Sequence, residues 1–126
     1  MRPRVLLADD YTELMGAFER LLAPTCDVVG CVADGDAVFE AIPRLQPDVV
    51  VLDLHMPPTD GIEICRHVKE ISPETAVIIL SASSDVEIIR EALGAGASAF
   101  VTKVSAVDAL LPAIQRAMAA RSVADS

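Results

Sequence analysis

Strand-like and helix-like stretches alternate from end to end of this 126-residue chain, and that alternation leaves few folds open. Val5–Ala8, Val28–Val32, Val49–Leu52, Ala76–Leu80 and Ala99–Val101 are short runs of aliphatic and β-branched residues. Between them, Glu13–Leu22 sets Leu14, Met15, Phe18, Leu21 and Leu22 at helical spacing before Pro24 stops it. Ala37–Leu45 reads as a second helix, with Pro43 near its end, and Gly61 opens a third that lines up Ile64, Cys65, Val68 and Ile71. Asp85 is placed to cap a fourth helix through Leu93, which Gly94 and Gly96 end. Ser105 is placed to cap a fifth that runs to about Ala120, with a bend expected at Pro112. Repeated β-α units require crossover connections, hence parallel strands with helices on both faces of the sheet. Val49–Leu52 and Ala76–Leu80 are apolar at every position, as strands covered on both faces are.

The length fits one domain with a real core. Residues 1–120 read as that domain, and Arg121–Ser126 as a tail or the start of a linker to an output domain. No apolar run approaches the roughly 18 residues that cross a bilayer, so no membrane association and a cytoplasmic location are expected. Ten basic residues against 19 acidic give a formal charge of −9, which opposes nucleic-acid binding by this domain alone. Cys26, Cys31 and Cys65 lack metal-ligand spacing and are expected to be small buried hydrophobes.

Ligands of open parallel sheets bind beyond the carboxyl ends of the strands, near the point where strand order reverses. Strand one ends in Asp9-Asp10, strand three in Asp53, strand four in Ser81, and strand five is followed by Lys103. Asp53 stands out because the apolar run Val49–Leu52 ends abruptly in its carboxylate. Taken singly, Asp9 and Asp10 would only be favourable charges at a helix N-terminus, worth about 0.3–1 kcal/mol. Gathered in one cleft, two such carboxylates about 4 Å apart repel by roughly 4 kcal/mol at an effective dielectric near 20. A hard divalent cation such as Mg²⁺ relieves that repulsion through oxygen ligands and recruits phosphate oxygens. With Lys103 as a point charge and Ser81 as a hydroxyl donor, the set suits phosphoryl transfer to Asp53.

Asp9-Asp10, the segment Asp53-Leu-His-Met-Pro-Pro-Thr-Asp-Gly61, Ser81-Ala82 and Phe100-Val-Thr-Lys103 together resemble a two-component response regulator receiver domain. The likeness covers essentially the whole chain, and Gly96–Lys103 is most similar to the NarL/FixJ class. The resemblance implies a (βα)5 flavodoxin-like three-layer sandwich with a five-stranded parallel sheet in the order 2-1-3-4-5. It implies Asp53 as the acceptor of a phosphoryl group from a sensor histidine kinase or a small phosphodonor. Mg²⁺ would be held by Asp10, Asp53 and the backbone carbonyl of His55, with Asp9 in support. Ser81 would hydrogen-bond the phosphoryl group, Lys103 would pair with Asp53, and Phe100 would swing as Ser81 moves. It further implies a conformational switch that controls an output, transcription in the NarL/FixJ class through a DNA-binding domain, and little activity on other substrates. His55 and Ser83 are expected to tune loss of the phosphoryl group, whereas His67 lies on the polar side of its helix. The alanines of 113–120 point to a helix-five contact with a second copy of the chain.

Two positions depart from the family. Val104 follows Lys103 where a proline in a cis peptide is common, and a cis bond before a non-proline residue costs about 2.5–4 kcal/mol. A trans bond and a less well placed Lys103 are therefore expected. Pro58 stands where the family usually has glycine, so the loop after Asp53 is expected to be rigid and reshaped. Three rival readings remain at this level. A receiver-like interaction module would never be phosphorylated. An aspartate-nucleophile phosphohydrolase is disfavoured by His55, which stands where many such enzymes carry a second aspartate. A nucleotide-binding domain is disfavoured by the lack of G-x-G-x-x-G and a P-loop.

Overall fold

The computed structural model describes residues 2–124. Five strands, β1 (Arg4–Ala8), β2 (Asp27–Val32), β3 (Val49–Asp53), β4 (Ala76–Ser81) and β5 (Ala99–Thr102), form one sheet in the order β2-β1-β3-β4-β5. Every adjacent pair is parallel. Five helices intervene: α1 (Thr12–Leu22), α2 (Gly35–Leu45), α3 (Gly61–Ile71), α4 (Val86–Gly94) and α5 (Ala106–Ala124). The flavodoxin-like three-layer fold expected of the sequence is the one observed.

Side chains alternate across a strand, and that alternation splits the core in two. Val5, Leu7, Val49, Val51, Ile78 and Leu80 face one layer, where they meet Phe18 and Leu22 of α1 and Leu110 and Ile114 of α5. Leu6, Val50, Leu52, Val77 and Ile79 face the other, against α2, α3 and Ala92 of α4. The central strands β3 and β4 are buried at every position, which is why neither shows polar alternation in sequence.

Three helix starts follow side-chain caps. Asp34 and Asp60 accept hydrogen bonds from Ala37 N and Glu63 N, and Asp85 caps α4 through Glu87 N as expected. Ser105 does not cap α5. A 3-10 turn, Lys103–Ser105, leads into that helix, and the Ser105 hydroxyl bonds back to the Thr102 carbonyl. Helix α5 continues through Pro112 and past Ala120 to Ala124, because the run Ala117–Arg121 holds good helix formers and no stop. Arg121, expected to begin a tail, docks its guanidinium on Asp48 at the start of β3, 2.8 Å from Oδ1.

One packing expectation is divided by burial and one is corrected. Ala113 and Ala117 are buried against the sheet, whereas Ala119 and Ala120 are exposed, so only the outer pair of these alanines is open to a second copy. Cys31 is exposed on the edge strand β2, whereas Cys26 and Cys65 are buried. His67 is exposed as expected, with its ring 4.2 Å from that of Phe39.

Burial pushes the Cys65 thiol up to about 11, and burial followed by Glu19 also raises that of Cys31. Alkylation of the native protein at mildly alkaline pH is therefore expected to give a single adduct at Cys31, slowly, with Cys26 and Cys65 reacting only after denaturation. Peptide mapping checks this, and early labelling of Cys65 contradicts the packing. Gly61 makes a second prediction. A Cβ there would lie 2.5 Å from the Asp53 carbonyl oxygen and 2.8 Å from Leu54 Cα, while Gly61 N donates to Leu54 O at 2.7 Å. The start of α3 thus rests directly on the end of β3, and Gly61→Ala is expected to destabilise the fold by about 1–3 kcal/mol in denaturant titration.

Candidate phosphoryl-acceptor site

The strand order reverses between β1 and β3, and the register there decides what meets at the carboxyl edge. Ala8 pairs with Leu52, so the next residues along each strand, Asp9 and Asp53, emerge side by side. On the other flank Asp53 pairs with Leu80, and Ser81 with Thr102, which places Ser81 and Lys103 at the same edge. Four sequence-expected residues are thus brought to one end of the sheet by hydrogen-bond register, and Asp10 follows Asp9 to the same end.

Carboxylate oxygens of Asp9, Asp10 and Asp53 all lie within 4.8 Å of one another. Asp9 and Asp53 are buried, at 3% and 4% exposure, whereas Asp10 faces solvent. Lys103 Nζ sits 3.3 Å from both Asp9 Oδ2 and Asp53 Oδ1. Burial alone would lower the pKa of this ammonium, but the attraction of Asp53 and then of Asp9 outweighs it and holds the group above its ordinary value. Lys103 therefore carries a full positive charge throughout the physiological pH range. The Lys103–Val104 bond is not cis; among the described residues the cis bond is Pro57–Pro58. The expectation that a trans bond would misplace Lys103 is corrected, since the ammonium bridges the two buried carboxylates.

Local hydrogen bonds fix the remaining oxygens. Tyr11 N donates to Asp9 Oδ1 at 2.9 Å, and His55 N approaches Asp53 Oδ1 at 3.3 Å. Asp9 Oδ2 is buried, and among the described residues its polar contact is the Lys103 ammonium at 3.3 Å, with no hydrogen bond of good geometry beside it. One ammonium shared between two buried carboxylates leaves the three-carboxylate cluster with net negative charge, which a further cation would relieve. The donor set is three carboxylates and no sulfur or imidazole, which fits a hard divalent cation. Asp53 Oδ1 is shared by Lys103 and His55 N, so Oδ2 is the oxygen left to face a ligand.

Ser81 is buried at the end of β4, and its Oγ accepts from Ser83 N at 3.0 Å. The Ser83 hydroxyl accepts from Asp85 N at 3.2 Å and is thus turned toward α4. Phe100 is half-buried and, like Ile88 of α4, packs against the core layer that α2, α3 and α4 cover. His55 is exposed. Sequence reasoning did not find the clamp on Asp9 by Tyr11 N, because a backbone donor leaves no trace in residue type.

Comparison with known proteins agrees with this geometry. The family model of the response regulator receiver domain matches residues 5–115. The DNA-binding transcriptional activator DevR/DosR of Mycobacterium tuberculosis is 33% identical over 125 residues, covering 98% of this chain and 58% of that protein. A protein-glutamate methylesterase/protein-glutamine glutaminase of Geobacter sulfurreducens is 41% identical over 102 residues, 79% of this chain but 27% of that one. The crystal structure of a LuxR-family two-component response regulator from Aurantimonas sp. superposes with a TM-score of 0.90 at 31% identity, covering 96% of this chain and 88% of that one. The chain thus spans little more than half the length, or less, of these curated relatives, and what it shares with both kinds is the receiver. By its motifs, its strand order and this match along nearly its whole length, the chain belongs to the response regulator receiver domain family.

Proposed function

We propose that this domain is a phosphorylation-operated switch in a two-component phosphorelay, with Asp53 as acceptor. The observation that carries the reading is the convergence of Asp9, Asp10 and Asp53 around Lys103, three carboxylates against one ammonium. Asp53 Oδ2 attacks the phosphorus of a sensor-kinase phosphohistidine or of a small acyl phosphate. The new O–P bond forms as the P–N or P–O bond to the donor breaks, and the donor departs with the electron pair.

Asp10, Asp53 and the His55 carbonyl would hold Mg²⁺, with Asp9 in support. Bound there, Mg²⁺ neutralises carboxylate charge and attracts phosphoryl oxygens. Lys103 keeps Asp53 oriented before transfer and meets a phosphoryl oxygen afterwards. Ser81 donates its hydroxyl proton to the transferred group, and Phe100 repacks under α4 as the loop follows. The domain assists its own phosphorylation and dephosphorylation and turns over no other substrate.

The partners are a sensor histidine kinase, a second copy of the chain, and an output domain. The names of the relatives include both transcriptional activators and methylesterases. We assign transcription control as the output, on the similarity to DevR/DosR along almost the full chain and to the LuxR-family structure. No helix among the described residues is long and apolar enough to cross a membrane.

Intact-mass measurement after incubation with acetyl phosphate and Mg²⁺ tests the reading. One phosphoryl adduct is expected on the wild type, with none on Asp53→Asn and none when EDTA replaces the metal. Absence of the adduct from the wild type, with beryllofluoride also failing to bind, would leave an interaction module that is never phosphorylated.

A further inference from the structure

The loop between β4 and α4 is held by a ladder of hydrogen bonds with a two-residue step. Ser83 N donates to Ser81 Oγ at 3.0 Å, Asp85 N to Ser83 Oγ at 3.2 Å, and Glu87 N to Asp85 Oδ1 at 2.9 Å. Each rung ties a side-chain oxygen to the amide two residues on. The ladder therefore runs without a gap from the buried end of β4 into the first turn of α4. Among the described residues, no backbone-to-backbone hydrogen bond forms within residues 82–84. The side chains of that segment lie in solvent, so packing does little to hold it.

The two ends of the ladder differ in how firmly they are held. Ser81 is only 2% exposed and lies beside the β3–β4 register that carries Asp53. A hydroxyl has one proton and two lone pairs. With Ser83 N–H on one lone pair, the proton of Ser81 stays free for a ligand on Asp53. At the far end, α4 buries only Ala92, and Val86 in its first turn is 63% exposed. The first amides of a helix have no partners within it, so this turn leans on the Asp85 cap. A weakly packed helix start is where a small displacement changes local opening most.

We infer that this ladder transmits the switch: displacement of the Ser81 hydroxyl toward an occupied Asp53 is carried through Ser83 Oγ and Asp85 into the N-terminal turn of α4. The inference rests on Asp53 being the phosphoryl acceptor. Ser83 and Asp85 are positioning residues, which touch neither donor nor acceptor. Ser83→Ala keeps the amide that Ser81 accepts from but removes the oxygen that holds Asp85 N, and so cuts the middle rung alone. Ser83→Thr keeps it.

Hydrogen exchange of the whole chain, with and without beryllofluoride and Mg²⁺, tests this, with occupancy of Asp53 followed by fluorine NMR in the same samples. In the wild type and Ser83→Thr, the amides of Glu87–Ile89 are expected to change exchange rate about three- to tenfold on binding. In Ser83→Ala at equal occupancy the change falls below about twofold, while the amides of Ser81 and Ala82 still respond. An undiminished α4 response in Ser83→Ala overturns the ladder but leaves Asp53 as acceptor, as does a silent α4 in the fully occupied wild type. Failure of beryllofluoride to occupy the wild type removes the acceptor reading and the ladder with it.

Discussion

The structure turns on carboxylates that repel one another and are nevertheless held together. Asp9 and Asp53 are side by side because β1 and β3 are neighbours in register, and Asp10 follows Asp9 to the same edge. Nothing in the local sequence of either strand favours that juxtaposition; the sheet imposes it. At an effective dielectric near 20, two charges about 4 Å apart interact by roughly 4 kcal/mol, so the repulsion is comparable with a large part of a domain's net stability. Lys103 offsets part of it from the end of β5 by bridging the two buried members. The remaining deficit of positive charge is what a divalent cation would fill.

That arrangement explains the division of labour in the fold. β3 and β4 are covered on both faces and are rigid supports, and Gly61 brings α3 into close contact with the backbone of Asp53. The loop after β4 is built in the opposite way, with exposed side chains and a chain of single hydrogen bonds that ends on a weakly packed helix. Charge at a rigid point and motion in a soft neighbour are what a switch needs. At the opposite end of the strands, Arg121 fastens α5 to Asp48, so the last described helix is tied to the start of β3.

Much of this was legible in the residues, and what was not has physical causes. The central strands announced themselves because burial on both faces demands unbroken apolar runs, and Asp53 stood out against that background. The acidic pair and Lys103 were legible as strand-end residues, but their meeting depended on strand order, which periodicity does not encode. The start of α5 was misread because Ser105 has the chemistry of a cap, whereas its hydroxyl bonds to Thr102 O. The exposure of Ala113–Ala120 was only half legible because alanine carries no preference for either face: the sheet claims Ala113 and Ala117, and Ala119 and Ala120 stay exposed. Val104 raised concern for Lys103, yet a long flexible side chain reaches both carboxylates from a trans peptide. Bonds made by backbone amides, such as Tyr11 N to Asp9, depend on chain path and are invisible in residue type.

The central claim is that the three carboxylates form one repulsive centre that a cation relieves, and thermal unfolding of wild type and Asp10→Asn, each in EDTA and in Mg²⁺, tests it most directly. Asp10 is exposed and makes little packing, so its neutralisation reports mainly charge. Ligand binding to the native state raises the melting temperature by mass action, whereas removal of a repelling charge raises it without metal. The account predicts that Asp10→Asn melts higher than the wild type in EDTA and loses most of the gain that Mg²⁺ gives the wild type. A variant that melts lower in EDTA, or keeps the full gain in Mg²⁺, would contradict it.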